Sequence, residues 1–596
     1  MSDTRRYDPH GLSARTTRLG TVTASIDTHW AMFSVISAAV ILALFEINLR
    51  WTPDFLGDEV IYAKAGFNIF TSDAISGGGT GAILVHPPVY LFVLGVWEWI
   101  TGNTSQFGLA GLQGARTVGA AMSAVACLVT ALTVRELLPE VSARRRVLAG
   151  VSAMGLVATN GFVLSFGRTA LIDPGAVAAG ALVVYLALRV SERSPIVQVL
   201  TLGPVIGVGC LVKQIVIFAA LSPILWRLLL RVRRDILTQL WALVVGALIW
   251  LAFPLWAAFM GISGQFWSQQ TFSLKRLLGI VKVTGVTLPG ASPLTQFTST
   301  FDLYVVGYLV AVLGGVGFLL ILKRAWSEGK WFSALTSAQA MVISYTFLTY
   351  LFVGFSVLFG AANQQFSVYI AGSSAVVLIY WFFAPKRIRP GRAAKLPGRR
   401  NVLAALTLLV VFLIGVLSWA LLYPFHRDDA TYRVATYLNS NLACQDVNAT
   451  GQQDRWQIAL PANHVHEYSD GPTALAAGVH IFLVSEKDAR LHYGNMSPEL
   501  SSWIQAKGRL LFQASDRGYE GLGVWQVGRL ASAGSAQGCA VAPGPVASHA
   551  SGITFLITLL GVGILVELVA FGAWRASAAR RARSTFRSSD ERLDQL

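Results

Sequence analysis

Apolar residues dominate twelve stretches of the chain, at 29–49, 113–137, 147–165, 174–190, 196–212, 214–230, 236–258, 302–322, 333–359, 366–383, 401–422 and 551–574. Each is about as long as the 20 or so residues with which a helix crosses the hydrocarbon core of a bilayer. The pattern predicts a polytopic α-helical membrane protein with about twelve transmembrane helices. A further apolar run, "LVHPPVYLFVLGVWEWI" at 84–100, has a different reading. Counted as a span it would reverse the side of Arg144, Arg145 and Arg146, so it is expected to return to the side it came from. It reads as a juxtamembrane or re-entrant helix opening at Pro87–Pro88, with Trp97 and Trp99 at headgroup depth. The first 28 residues are polar and carry arginines, and the apolar run after them lacks an A-x-A end. It should therefore stay as an anchor rather than be cleaved as a leader.

Composition sharpens this picture. The chain is 54% hydrophobic and 13% charged, against about a quarter charged in ordinary soluble domains, which excludes a soluble enzyme. The net charge of +16 is placed, not spread. With a cytoplasmic N-terminus, 30 of the 47 Lys and Arg fall in inside segments, including seven at 386–400 and six from Arg575 onward. That is the positive-inside pattern, and it puts the excess charge against anionic lipid headgroups, so nucleic acid is not an expected partner. Both termini are expected in the cytoplasm and the protein in the plasma (inner) membrane.

The expected organisation is a cytoplasmic tail at 1–28, a transmembrane catalytic domain at 29–424, an extracytoplasmic domain at 425–550, a last span at 551–574 and a basic cytoplasmic tail at 575–596. Two long outside loops, 51–112 and 260–301, interrupt the catalytic domain. The second ends in the Gly/Pro/Thr/Ser-rich "GVTLPGASPLTQFTST", which predicts a flexible loop. The 425–550 region alternates helical and strand patterns, as in "ATYRVATYLNSNL", "GVHIFLVSE" and "GVWQVGR", and reads as a small α/β domain. Its Cys444 and Cys539 lie outside, where a disulfide is permitted.

An enzyme built this way must hold its ionisable groups where spans meet the outer water, because charge at mid-bilayer is costly. In "GDEVIYAKAG" the adjacent Asp58 and Glu59 sit in a helical first turn, where carboxylates also serve as plain caps. Side chains one residue apart diverge by about 100° on a helix, so one can face a cleft as a base while the other braces it or meets a cation. In "SFGRTALIDPGA", Arg168 and Asp173 flank the next outer boundary, with Asp before Pro174 a common helix start. In "GCLVKQIV", Lys213 has nothing acidic nearby in sequence; it either snorkels or awaits an anion. With Lys275 and Arg276 these residues supply a carboxylate base and a cationic clamp, the needs of attack on a phosphate-linked donor.

Taken in order, "GDEVIYAKAG", "HPPVYLFVLG", "GRTALIDP" and "GCLVKQ" resemble the GT-C glycosyltransferases of the protein O-mannosyltransferase and aminoarabinose (lipid A) transferase type. The resemblance implies a polyprenyl-phosphate sugar donor and an extracytoplasmic acceptor, whether cell-envelope glycan, glycolipid or protein. It implies catalytic roles for Asp58, Glu59 and Asp173, with Asp58 as base, and donor-phosphate contacts from Lys213, Arg168, His86 and Arg276. Mannosyl and arabinosyl transfer both occur in the family it resembles, and the donor sugar stays open. Some relatives bind a divalent metal near the first two motifs, for which Asp58, Glu59 and His86 are the candidate ligands; no other cofactor is implied. The sequence departs from the family at "NQQFSVYI", where Gln364 and Gln365 stand in place of a basic residue. A twelve-span transporter or lipid flippase is the competing reading. It predicts mid-membrane polar sites and similar halves, whereas the charges here cluster at outer boundaries.

Overall fold

The structure, a computed structural model, describes residues 29–51, 56–76, 82–102, 108–281, 301–327, 335–359, 364–384, 399–424, 426–449, 453–460, 462–486, 489, 496–516, 521–530, 551–569 and 572. The N-terminal tail, the Gly/Pro/Thr/Ser-rich stretch, most of 386–400, Cys539 and the arginine-rich C-terminal tail lie outside the described residues.

In chain order the helices are α1 Trp30–Glu46, α2 Gly57–Ser72, α3 Val89–Ile100, α4 Leu109–Leu137, α5 Ala143–Ala158, α6 Gly161–Phe166, α7 Asp173–Arg189, α8 Pro195–Val212, α9 Val216–Ala220, α10 Ser222–Leu229, α11 Arg233–Trp250, α12 Ala252–Phe259, α13 Ser263–Leu277, α14 Phe301–Ser327, α15 Ser337–Phe359, α16 Tyr369–Phe383 and α17 Arg399–Leu422. They are followed by α18 Ala430–Asn441, α19 Gln453–Ala459, α20 Gly471–Ala476, α21 Pro498–Lys507 and α22 Gly552–Val569. Among the described residues, eight helical segments are long and apolar enough to cross a membrane. The protein is a multi-pass membrane protein. The other four expected spans are shorter or broken: α1 and α7 have 17 residues each, α5 has 16, and the run at 214–230 divides into α9 and α10.

Two shorter helices, α2 and α3, position the site. Helix α3 has 12 residues, about 18 Å at 1.5 Å per residue, well short of the 30 Å core. It lies against α2, and two glycines set the approach. A Cβ on Gly95 would meet the Gly66 carbonyl oxygen at 2.3 Å, and one on Gly66 would meet the Leu91 oxygen at 2.7 Å. Trp97 Nε1 donates to Gly114 O at 3.0 Å, fixing α3 to the start of α4. At the far end of α2, Asp73 adopts a left-handed conformation, φ 49°, and caps α22 by accepting from Ser551 Oγ (2.6 Å) and Ile553 N (2.8 Å).

If α3 does not span, Thr101→Cys and Lys507→Cys, the latter in the sheet domain, will both react with an impermeant thiol reagent from one side of sealed vesicles. Reaction of Thr101→Cys only from the opposite side would make α3 a crossing helix.

The sheet comprises β1 Val447–Asn448, β2 Val465–His466, β3 Ile481–Ser485, β4 Gly508–Ala514 and β5 Leu522–Val527, in the order β2-β1-β3-β5-β4. β1 pairs parallel with β2 and β3, while β5 is antiparallel to both β3 and β4. With α18 and α21 against it this is a small α/β domain. β3 is buried throughout, as a central strand covered on both faces must be. Asn48 Nδ2 donates to Tyr423 O at 2.8 Å and Trp51 O accepts from Asp428 N at 3.1 Å, so the chain between α17 and this domain is tied to the end of α1. Cys444 is disulfide-bonded, whereas Cys127 and Cys210 are free.

Candidate active site

The first turn of α2 separates its two carboxylates. Glu59 points inward and is fully buried. Its Oε1 accepts from Leu56 N (3.1 Å) and Arg116 Nη2 (2.6 Å), and its Oε2 from Arg116 Nε (3.1 Å) and Ala170 N (2.9 Å). Arg116, also fully buried, reaches the Leu49 carbonyl with Nη1 at 3.1 Å. One bidentate ion pair thus joins α2, α4, the end of α1 and the loop before α7. Such forks fix geometry as well as charge.

Asp58 points the other way. The residue is exposed, and Arg276, Lys213 and Asp173 lie near enough to act on its charge across the cleft between α2, α7 and α13. Desolvation there raises its pKa above the usual 3.8, against the pull of Arg276 and Lys213 and with the push of Asp173. His86, in the turn before α3, stands edge-on to Tyr62 at 5.6 Å between ring centroids. Desolvation, assisted by Lys213, lowers its pKa to about 3, so the imidazole is neutral at neutral pH. Two buried polar atoms beside the cleft, His86 Nδ1 and Tyr90 Oη, have no hydrogen-bond partner among the described residues. Buried polar groups are rarely left so.

Arg276 arrives on α13, which is strapped to the segment before His86. Gln269 accepts from Leu84 N (2.8 Å) and donates to Ala82 O (2.9 Å), and Gln270 donates to Leu84 O and accepts from Gln214 Nε2 (3.2 Å). This strapping was not visible in the sequence, although the polar pair "QQ" inside an otherwise amphipathic helix is its signal.

Several sequence expectations need correction. Lys213 is neither snorkelling nor awaiting an anion: its Nζ lies 2.7 Å from Asp173 Oδ1, and the pair is buried. Asp173 is no simple helix cap, since it also accepts from Tyr369 Oη at 2.6 Å and from Gln365 Nε2. Gln365, in a 3-10 turn at Gln364–Val368, and Tyr369, the first residue of α16, are the functional-site residues that sequence reasoning missed or left unassigned. Arg168 does not join Lys213. It donates to Phe45 O (2.9 Å) and Ile47 O (2.6 Å), binding the carbonyl end of α1, with Tyr423 over its guanidinium. Cations at a helix C-terminus are electrostatically favoured, which explains this placement without a ligand.

The metal reading fits poorly. Glu59 has its oxygens committed to four donors, leaving Asp58 and His86, and among the described residues no group of three or more His, Cys, Asp or Glu side chains could hold an ion.

With this geometry established, comparison with known proteins is informative. ArnT from Cupriavidus metallidurans, solved bound to undecaprenyl phosphate, superposes with a TM-score of 0.51 at 13% identity, covering 85% of this chain and 100% of that one. The Archaeoglobus fulgidus oligosaccharyltransferase AglB, solved with an inhibitory peptide and a dolichol-phosphate, also gives 0.51 at 13% identity, over 84% and 74% of the two chains. The chain has a GT-C fold. In sequence, a polyprenol-phosphate-mannose protein mannosyltransferase of Mycolicibacterium smegmatis is 30% identical over 149 residues, or 24% of this chain. The matched stretch spans only 26% of that relative's length. No protein-family model matches.

Proposed function

We propose that this GT-C chain is a glycosyltransferase that moves a sugar from a polyprenyl-phosphate donor to an acceptor hydroxyl on the outer side of the plasma membrane. The observation that carries the reading is the divided "DE" pair. Glu59 is spent on holding the helix, which leaves Asp58 as an open carboxylate of raised pKa facing a cleft with Arg276 beside it. The two solved neighbours bind undecaprenyl phosphate and a dolichol-phosphate, and the mannosyltransferase relative is named for a polyprenol-phosphate-mannose donor. These support a lipid-phosphate donor here.

In this mechanism Asp58 takes the proton of the acceptor hydroxyl as its oxygen attacks sugar C1. The C1–O bond to phosphate breaks with its electron pair going to the phosphate oxygen, and polyprenyl phosphate leaves. Arg276 meets the charge that grows on that oxygen, a charge-assisted contact stronger in the transition state than before it. Lys213, held by Asp173, supplies a fixed dipole and its two remaining N–H donors. Neutral His86 and Tyr90 are placed to hydrogen-bond the sugar or phosphate. Glu59, Arg116, Arg168 and Asp173 act as positioning residues. Attack opposite the leaving phosphate inverts the anomeric centre. NMR of the product formed from a donor of known anomeric configuration will show inversion, and retention would rule out the single displacement.

Arg276→Ala should raise the donor KM and lower kcat, together cutting kcat/KM about tenfold or more. An unchanged kcat/KM would remove Arg276 from the site. The basic residues of the sequence, concentrated on the side opposite the sheet domain in this topology, support an extracytoplasmic acceptor.

A further inference from the structure

Tyr62, in the second turn of α2, takes no part in the proton transfer, yet it follows Asp58 by four residues and so shares its helical face. It is 6% exposed. Its ring stands edge-on to His86, and its hydroxyl makes no hydrogen bond among the described residues. Desolvation first, then the charges of Asp58 and Asp173, hold the phenol protonated far above neutral pH, so it can donate. Tyr90 closes the other side. A Cβ on Gly175 would meet the Tyr90 ring at 2.6 Å and Val212 Cγ1 at 3.2 Å, which places that ring between the start of α7 and the residue before Lys213. The Tyr90 hydroxyl and His86 Nδ1 are buried and unpartnered among the described residues. Three neutral polar groups, from α2, the turn before α3 and α3 itself, thus gather within electrostatic reach of Asp173, and Tyr62 also within reach of Asp58.

The other carboxylates here are already matched. Asp173 accepts from Lys213, Tyr369 and Gln365, and Glu59 from Arg116 and two backbone N–H groups. An amine on the bound sugar would find only Asp58 unpaired, and pairing there would take the base out of the reaction. A carboxylate on the sugar would face Asp58 and compete with the phosphate for Arg276. Hydroxyls meet neither conflict. They satisfy the two phenols and the imidazole, whose unmet hydrogen bonds would otherwise weaken the complex, while the aromatic rings cover the C–H faces of the sugar. We propose that Tyr62, His86 and Tyr90 form the donor-sugar pocket of this site and select a sugar that carries hydroxyls but neither amine nor carboxylate. Tyr62 is its specificity-determining member, because its side chain shares the face of the base. The inference rests on the glycosyltransferase reading.

The test uses the full chain in phosphatidylcholine nanodiscs and a panel of polyprenyl phosphates of one chain length: bare, or linked to mannose, galactose, arabinose, 4-amino-4-deoxyarabinose or glucuronic acid. Binding is measured in Asp58→Asn protein, where bound donor survives, and turnover in the unaltered chain. The best neutral sugar should bind about tenfold or more tighter than the bare lipid and than either charged sugar, and should lead in kcat/KM. Tyr62→Phe should cut its affinity about fivefold and leave that of bare polyprenyl phosphate unchanged, whereas a merely structural role would move both. A charged sugar that binds or turns over as well as the best neutral one would overturn the proposal, as would sugars that bind no better than the bare lipid. Sugar affinity indifferent to Tyr62→Phe would remove Tyr62 from the pocket. Failure of the glycosyltransferase reading is separately visible: a chain that ranks the sugars in binding yet releases no polyprenyl phosphate keeps the pocket and loses the transfer.

Discussion

Asp58→Asn should lower turnover by about 10²-fold or more, the range for a positioned proton transfer, while expression, thermal stability and donor binding stay close to those of the unaltered chain. Asp58 makes no hydrogen bond or ion pair among the described residues, unlike its neighbour, so the substitution tests chemistry rather than folding. The pH dependence has a defined sign. The base works deprotonated, and desolvation raises its pKa above 3.8. The acid limb of kcat/KM should therefore lie above the ordinary carboxylate range, with activity lost as pH falls through it. His86, at about 3, stays neutral across that range and adds no second limb. An Asp58→Asn chain of undiminished turnover would remove Asp58 as base.

Arg116→Ala should do the opposite, damaging stability first. It leaves Glu59 fully buried and without its bidentate partner. Breaking a buried pair from one side costs about 3–5 kcal/mol, so the thermal midpoint in nanodiscs should drop sharply and activity with it. The paired replacement Arg116→Met with Glu59→Gln removes the stranded charge and should recover much of the stability, while activity stays low because α2 loses its tether to Leu49 and Ala170. A single Arg116→Ala substitution with an unchanged midpoint would mean the pair braces nothing.

The contrast between these neighbours shows what the sequence could reveal. That "DE" divides into an outward and an inward carboxylate follows from the helical 100° step, and the membrane class follows from apolar runs and basic-residue placement. Which partner each charge finds does not follow. Arg116 and Glu59 are 57 residues apart, and Lys213 and Asp173 are joined only because α7 and α8 pack side by side. An isolated lysine in sequence therefore read as a free cation, and Arg168 read as a clamp although the carbonyl end of α1 claims it. The two-residue strands β1 and β2 carry no periodicity to read. Conversely, the charge bookkeeping that sets 84–100 apart from a span meets a helix of only 12 residues, Val89–Ile100, and the thiol-labelling experiment decides whether it crosses.

The most direct test of the central claim is donor cleavage. The full chain, reconstituted in vesicles with polyprenyl-phosphate sugars labelled in the sugar and supplied with cell-envelope acceptors, should release polyprenyl phosphate in step with label appearing on the acceptor, and Asp58→Asn should abolish both. Donor that crosses the bilayer intact, with no polyprenyl phosphate released, would contradict the account and establish the transporter in its place.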